Sequence, residues 1–332
     1  MSKNQLKGLI MAVFDVFNGD ADGICALHQL RLAEPLDSAL ITGVKRNIML
    51  LDGLQVEAGD QVNVMDISLD KNRTSLERLL ETGAKITYFD HHYAGEIPEH
   101  KNLQTYIDTA ADTCTSLLVN DYLDNQFLAW AVTATFGDNM FKSAIKAAEP
   151  LNLTSQQLEE LKALGTCINY NGYGASLEDL HFEPKDLYQA MKPFSDPFDF
   201  IHDSKEYQTL AEGYKEDIEA ASEIKAEQEE AAFAIYILPD APWARRVSGV
   251  FANQLAQDNP TRAHGILSQK ENGSYLVSVR APLNNRTGAD EVCRQFPSGG
   301  GRKAAAGINE LPTSDYINFL SVMSETYGQS SS

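Results

Sequence analysis

Three short acidic clusters, each closing an apolar stretch, constrain this chain more than any other feature. They are Asn18-Gly19-Asp20-Ala21-Asp22-Gly23 after Leu9 to Phe17, Asp66 after Val62 to Met65, and Asp90-His91-His92 after Ile86 to Phe89. Short apolar runs bounded by polar breaks read as buried parallel strands, and in an open α/β sheet ligands bind beyond the carboxyl ends of such strands. The three clusters are therefore expected to meet in space. Carboxylates and imidazoles gathered in one place need a cation to offset their charge. Oxygen-rich ligands with some imidazole suit Mn²⁺ or Mg²⁺, whereas tetrahedral Zn²⁺ more often takes thiolates or several His.

A length of 332 residues exceeds what one core usually organises, so two domains are expected. Leu9 to Phe17 is too short for a secretion signal, carries Asp15 and lacks a cleavage pattern, so it reads as a core strand. No run approaches the roughly 20 apolar residues of a membrane span. Cys25, Cys114, Cys167 and Cys293 show no paired spacing, which argues against a disulfide framework or a Cys-based zinc site and points to a cytoplasmic protein. The formal charge of -20, from 47 acids against 27 bases, disfavours a long nucleic acid, which needs Lys and Arg along its path. A short polyanion can still bind where metal ions and a few Arg reverse the sign locally.

Up to about Leu123 strand-like and helix-like stretches alternate: Leu9 to Phe17, a helix from Gly23 to Ala33, Ala39 to Val44, Val62 to Met65, a helix from Lys71 to Glu81, and Ile86 to Phe89. This rhythm predicts a mostly parallel sheet with helices on both faces. Helical sequence dominates from Thr113 to Leu164, with Thr154 and Gln157 as a capping box. Pro193 and Pro197 mark a boundary, and Ser204 to Glu230, rich in Glu, Lys and Ala, reads as one long connecting helix. A smaller mixed-sheet α/β region follows, with strands Phe233 to Leu238, Ala263 to Ser268 and Tyr275 to Arg280. It also holds helices at Ser248 to Gln257 and Ala289 to Phe296, a hairpin turn at Asn272-Gly273, and a glycine loop at Gly299 to Gly301. The Gly-Gln-Ser-Ser-Ser end reads as a frayed tail. The resulting division is 1-192, a linker and helix at 193-232, and 233-328.

Each motif also has a local reading. Asp20 and Asp22 can bridge metal ions, or Asn18-Gly19 can make a turn with Asp22 capping the next helix. Asp66 can ligate or end a strand. Asp90-His91-His92 can be a surface His pair, but it has fewer structural uses, because two imidazoles beside a carboxylate at a strand end can serve as one ligand and one proton donor, with Asp90 orienting an imidazole. Gly299 to Gly301 can be a tight turn, and Arg302 a solvated charge.

The order Gly-Asp-Ala-Asp-Gly, a strand-ending Asp, then Asp-His-His resembles the amino-terminal domain of the DHH phosphoesterases. Ser278-Val279-Arg280 followed by Gly300-Gly301-Arg302-Lys303-Ala304-Ala305-Ala306-Gly307 resembles the signature of the associated DHHA1 domain. The resemblance spans nearly the whole chain. It implies a centre of two divalent ions, Mn²⁺ preferred with Mg²⁺ as the alternative, set between the domains, and hydrolysis of a phosphoester by activated water. Carried over by position, Asp20, Asp22, Asp66 and His91 match metal ligands, with Asp66 bridging, and Asp138 in Phe136-Gly137-Asp138-Asn139 fits the remaining acidic motif. His92 matches the histidine beside the scissile phosphate, with Asp90 as its catalytic partner. Arg280, Gly300, Gly301, Arg302 and Lys303 match the substrate-binding tail.

Two departures stand out. Asn18, a neutral donor, occupies the position where many members have His or Asp as first ligand. Arg302 replaces the His of the glycine loop and offers a planar fork suited to a phosphate or to the O6/N7 edge of guanine. The implied activity is cleavage of a linear dinucleotide or very short RNA to mononucleotides, with 5′-pGpG, the linear product of cyclic di-GMP breakdown, as the specific expectation. The alternatives are a short-chain polyphosphatase or 3′,5′-bisphosphate nucleotidase and, outside enzymes, a nucleotide-binding module with a decayed centre. No membrane partner is expected, and a homodimer is left open.

Overall fold

The computed structural model describes residues 11–328. Leu9 and Ile10 of the expected first strand, and residues 329–332 of the expected frayed tail, lie outside the described residues. The first strand is β1 (Val13–Phe17), followed by α1 (Ala21–Ala33), β2 (Ala39–Ile41), β3 (Gln61–Met65), α2 (Leu69–Thr82), β4 (Lys85–Asp90) and β5 (Leu103–Ile107). These strands form one sheet in the order β2-β1-β3-β4-β5, with every neighbouring pair parallel. The second strand leaves the sheet at Ile41 and so is shorter than the expected Ala39 to Val44. β5 was not foreseen: Leu-Gln-Thr-Tyr-Ile is an edge strand with no continuous apolar run.

Alternation along β1 puts neighbouring residues on opposite faces. On one face Val16, Val62, Val64, Ile86 and Tyr88 pack with Leu69, Leu76, Leu79 and Leu80 of α2. On the other, the buried Asp15 carboxylate receives two bonds from Arg31 of α1, at 2.6 and 2.7 Å, and further bonds from Ser38 and Asn63. A buried carboxylate is tolerated only when matched in this way. Helices therefore cover both faces, as the alternating pattern predicts.

Seven helices follow: α3 (Thr115–Tyr122), α4 (Leu128–Gly137), α5 (Phe141–Ala148), α6 (Ser155–Asn171), α7 (Pro184–Met191), α8 (Pro197–Asp203) and α9 (Lys205–Ser222). The Thr154–Gln157 capping box opens α6. The Pro193–Pro197 stretch is bound into this first unit, since the Trp130 indole donates to Ser195 O at 3.0 Å and His28 Nε2 lies 2.8 Å from Phe194 O. The chain divides into two compact units between Ala211 and Glu212, inside α9 and within the 193-232 stretch read as linker and connecting helix. The single helix expected over Ser204 to Glu230 ends at Ser222, because Gln228 and Glu229 form a short strand, β6, paired with the next one.

The second unit continues with β7 (Phe233–Leu238), α10 (Pro242–Asp258), β8 (Ala263–Gln269), β9 (Tyr275–Arg280), α11 (Ala289–Cys293), β10 (Gly299–Arg302), β11 (Ala305–Leu311) and α12 (Tyr316–Tyr327). Its sheet runs β10-β11-β9-β8-β7-β6, with β7 and β8 parallel across the α10 crossover and the other pairs antiparallel. Asn272-Gly273 makes the β8–β9 turn, with Gly273 at φ 79°. The glycine run is not a loop. Gly299 to Arg302 is the edge strand of a hairpin with β11, and at Gly299 the lack of a side chain is a packing requirement, since a Cβ there would lie 1.7 Å from Cys293 O.

Candidate metal centre

Register brings the three clusters together. Phe17, Met65 and Phe89 are aligned across β1, β3 and β4, so Asn18, Asp66 and Asp90 follow in a row at the carboxyl edge of the sheet. The row is held by backbone bonds from Asn18 N to Met65 O at 3.2 Å and from Asp66 N to Phe89 O at 3.0 Å. Asp66 then turns the chain in the left-handed region, φ 60°, which the short polar Asp side chain tolerates better than most.

Asp20, and not Asp22, caps α1: its Oδ1 accepts from Asp22 N at 3.1 Å and Gly23 N at 3.0 Å. Asp22 reaches across to the start of α3, where its two oxygens accept from Thr115 N and Ser116 N, each at 2.7 Å. The carboxylate thus sits on the positive end of a helix, which fixes its orientation. Lone pairs remain on both oxygens for an ion. Thr115 Oγ1 also donates to Asp66 Oδ1 at 3.1 Å.

His91 Nδ1 lies 3.1 Å from Thr113 O, a carbonyl that can only accept, so this nitrogen donates and Nε2 is the one turned toward the acids. Nε2 is 3.5 Å from Asp66 Oδ1, 3.8 Å from Asp138 Oδ2 and 3.9 Å from Asp22 Oδ2. Asp138 arrives from the C-terminal end of α4. Among the described residues two groups have ligand atoms close enough to share an ion, Asp66 with His91 and His92, and Asp22 with His91 and Asp138. His92 is not buried as expected, since its side chain is 46% exposed, and its Nδ1 lies 2.7 Å from Oδ1 of the fully buried Asp90. Partial burial works against protonated His92, but the Asp90 hydrogen bond and charge overcome it and hold the imidazole above its ordinary pKa.

Burial, and then the charges of Asp20, Asp22, Asp138 and Asp90, push the Asp66 carboxyl well above the usual carboxylate range. Burial likewise raises Asp138, against the pull of Lys45. Burial opposes ionised Asp20 too, but there the Lys45 ammonium prevails and the pKa is lowered. Asn18 Oδ1 and Asp90 Oδ2 are buried with no hydrogen-bond partner. Orphaned oxygens, a row of carboxylates and an aimed imidazole nitrogen fit a hard divalent cation, so the residues suit the ion that the sequence suggested.

Four residues were missed from sequence: Lys45, Thr115, Ser116 and Asn169. Lys45 Nζ lies 2.6 Å from Asp20 Oδ2, 3.0 Å from Asn169 Oδ1 and 3.3 Å from Asp138 Oδ1. A Lys beyond the short β2 carries no motif. The Thr-Ser pair opening a helix was the one available signal, as a potential anion-capping end.

In the second unit, Arg280 ends β9, where its Nε donates to Asn253 Oδ1 and its Nη1 to Ser278 Oγ, each at 2.8 Å. Gly300, Gly301 and Arg302 lie on the edge strand β10, and Arg302 and Lys303 are exposed at the hairpin turn.

No family model and no curated protein matches this chain by sequence. Solved structures do match. The exonuclease RecJ bound to manganese aligns over 96% of this chain and 90% of its own at 16% identity and TM-score 0.61. The DHH domain of a member of a ribosomal-protein family aligns over 95% and 86% at 14% identity and TM-score 0.60. A pGpG-specific phosphodiesterase, PggH, from Vibrio cholerae aligns over 95% and 98% at 14% identity and TM-score 0.58. At these identities the likeness is one of fold: a parallel-sheet unit followed by a smaller mixed-sheet unit.

Proposed function

We propose that this chain is a metal-dependent phosphodiesterase that cleaves linear dinucleotides or very short oligoribonucleotides, 5′-pGpG foremost, to nucleoside monophosphates. The observation that carries the reading is the convergence of His91 Nε2 on Asp22, Asp66 and Asp138 beside an exposed, Asp90-bound His92. The fold shared with a manganese-bound exonuclease and a pGpG-specific phosphodiesterase supports it.

Asp22, Asp66, His91 and Asp138 would hold the ion, with Asn18 and Asp20 alongside. A bound divalent ion supplies Lewis acidity toward the phosphoryl group and the attacking water. The protein does the rest. The cap on α3 fixes Asp22, and Thr113 O fixes the His91 tautomer, so neither ligand must reorganise as charge develops. His92, whose protonated form Asp90 favours, would donate from Nε2 to a phosphoryl or leaving-group oxygen. In the second unit Arg280, Gly300, Gly301, Arg302 and Lys303 are the proposed substrate contacts, with Arg302 the candidate reader of guanine or a terminal phosphate.

The test is incubation with Mn²⁺ and a panel of short phosphoesters, with products identified by mass. Nucleoside monophosphates from pGpG, abolished by chelation, are expected. Orthophosphate as the sole product would replace this reading with a polyphosphatase or bisphosphate nucleotidase, and no turnover of any substrate would overturn it.

A further inference from the structure

We infer that the Lys45 ammonium holds the place of a second cation in this centre, so that the centre binds one divalent ion tightly, at Asp22, Asp66, His91 and Asp138, and not a pair. The inference rests on the metal-dependent reading above and refines its stoichiometry.

Lys45 is planted where it stands. Its backbone N donates to Gly172 O at 2.9 Å, and its carbonyl accepts from Asn18 Nδ2 at 3.3 Å. The neighbouring Gly43 packs so tightly on Gly19 that a Cβ on Gly19 would lie 1.9 Å from Gly43 O. This clasp ties the loop after β2 to the loop after β1, and the Lys45 side chain, 21% exposed, runs inward to Asp20, Asp138 and Asn169. Its ammonium also lies 5.3 Å from the centroid of the Tyr173 ring.

Asp20 is thereby spoken for, with one oxygen capping α1 and the other paired to Lys45 at 2.6 Å. Among the described residues both groups able to share an ion are built around His91, and neither includes Asp20. The remaining donor on the Asp20 side is Asn18, a neutral amide that brings no charge to a second divalent ion. Charge balance points the same way. Two divalent ions offset Asp20, Asp22, Asp66 and Asp138 unaided, so a fixed ammonium among them is surplus, whereas beside one ion it offsets charge that would otherwise be left unmet. Like charges a few ångströms apart in a buried site repel strongly.

The experiment is Mn²⁺ loading of the full chain, desalting, metal analysis by plasma mass spectrometry and electron paramagnetic resonance. The natural protein is expected to retain about one Mn²⁺ per chain with an isolated-ion spectrum. Lys45→Met should retain about two, exchange-coupled because ions sharing such a site lie about 4 Å apart. Lys45→Arg should behave as the natural protein. Two coupled ions in the natural protein, or a folded Lys45→Met that still takes one, would overturn the inference and leave the metal-dependent reading standing. No Mn²⁺ retained by any variant would instead overturn that reading. Should Lys45→Met fail to fold, the stoichiometry and spectrum of the natural protein decide alone.

Discussion

Asp66 combines a left-handed backbone with a carboxyl that burial and four neighbouring acids drive well above its ordinary pKa. A carboxyl raised in the fold weakens the fold once it must ionise: the cost is absent below the unfolded value of 3.8, grows as pH rises from there toward the folded pKa, and is fully present above it. Asn accepts the same backbone region and carries no charge. Metal-free Asp66→Asn is therefore expected to melt at or above the natural protein at pH 7, by up to a few degrees, while losing the rise in Tm on adding Mn²⁺. A lower Tm without metal would contradict the electrostatic account. His92 sits apart from this cost, since its outer nitrogen is not needed to hold the fold. His92→Gln is expected to lower kcat by about 10²- to 10⁴-fold while retaining bound Mn²⁺, and an unchanged kcat would remove it from the proton path.

At the scale of elements, the hairpin of β10 and β11 lets packing be told apart from the proposed substrate contact. Gly299→Ala places a Cβ against Cys293 O and is expected to destabilise by about 2 to 4 kcal/mol, whereas a Cβ on Gly300 meets nothing within 4 Å. Gly300→Ala should leave urea unfolding unchanged, so any rise in KM for pGpG reads contact with substrate alone. On α1, His28 is 1% exposed, bonded to Phe194 O, edge-on to Trp130, and burial lowers its pKa to about 4. The unfolded chain takes up this proton near 6.5 and the fold does not, so the stability present above that pH is lost as pH falls toward 4. The loss amounts to about 3 kcal/mol, and urea titrations at pH 7 and pH 4 should show His28→Gln losing less by that amount.

For the whole molecule, the charge of -20 sets what can approach. A longer strand adds phosphates without adding compensating Lys or Arg, so kcat/KM is expected to fall steeply from a dinucleotide to an RNA of about twenty nucleotides, and the gap should narrow as salt screens the repulsion. Comparable rates on both lengths at low salt would contradict this. Among the described residues no helix is long and apolar enough to cross a membrane.

The parallel sheet, its helices on both faces and the acids at its edge were legible because each rests on local information: apolar runs, strand-end breaks and side-chain type. Parallel register then turned three separated motifs into one row without further instruction, Asn18, Asp66 and Asp90 following aligned partners. The glycine run was misread as a loop because Gly lacks the side chain by which a strand shows itself, and only pairing with β11 makes it one. The connecting helix was overextended because Glu, Lys and Ala favour a helix locally, whereas at Gln228 and Glu229 the unpaired edge of β7 offered hydrogen bonds that propensity does not see. What tertiary structure alone decided is the charge partnering inside the centre. Sequence supplied the carboxylates, but which of them gathers at His91 Nε2, which caps a helix and which is met by Lys45 depends on contacts between segments far apart in the chain, because electrostatic energy follows distance in space and not position in sequence.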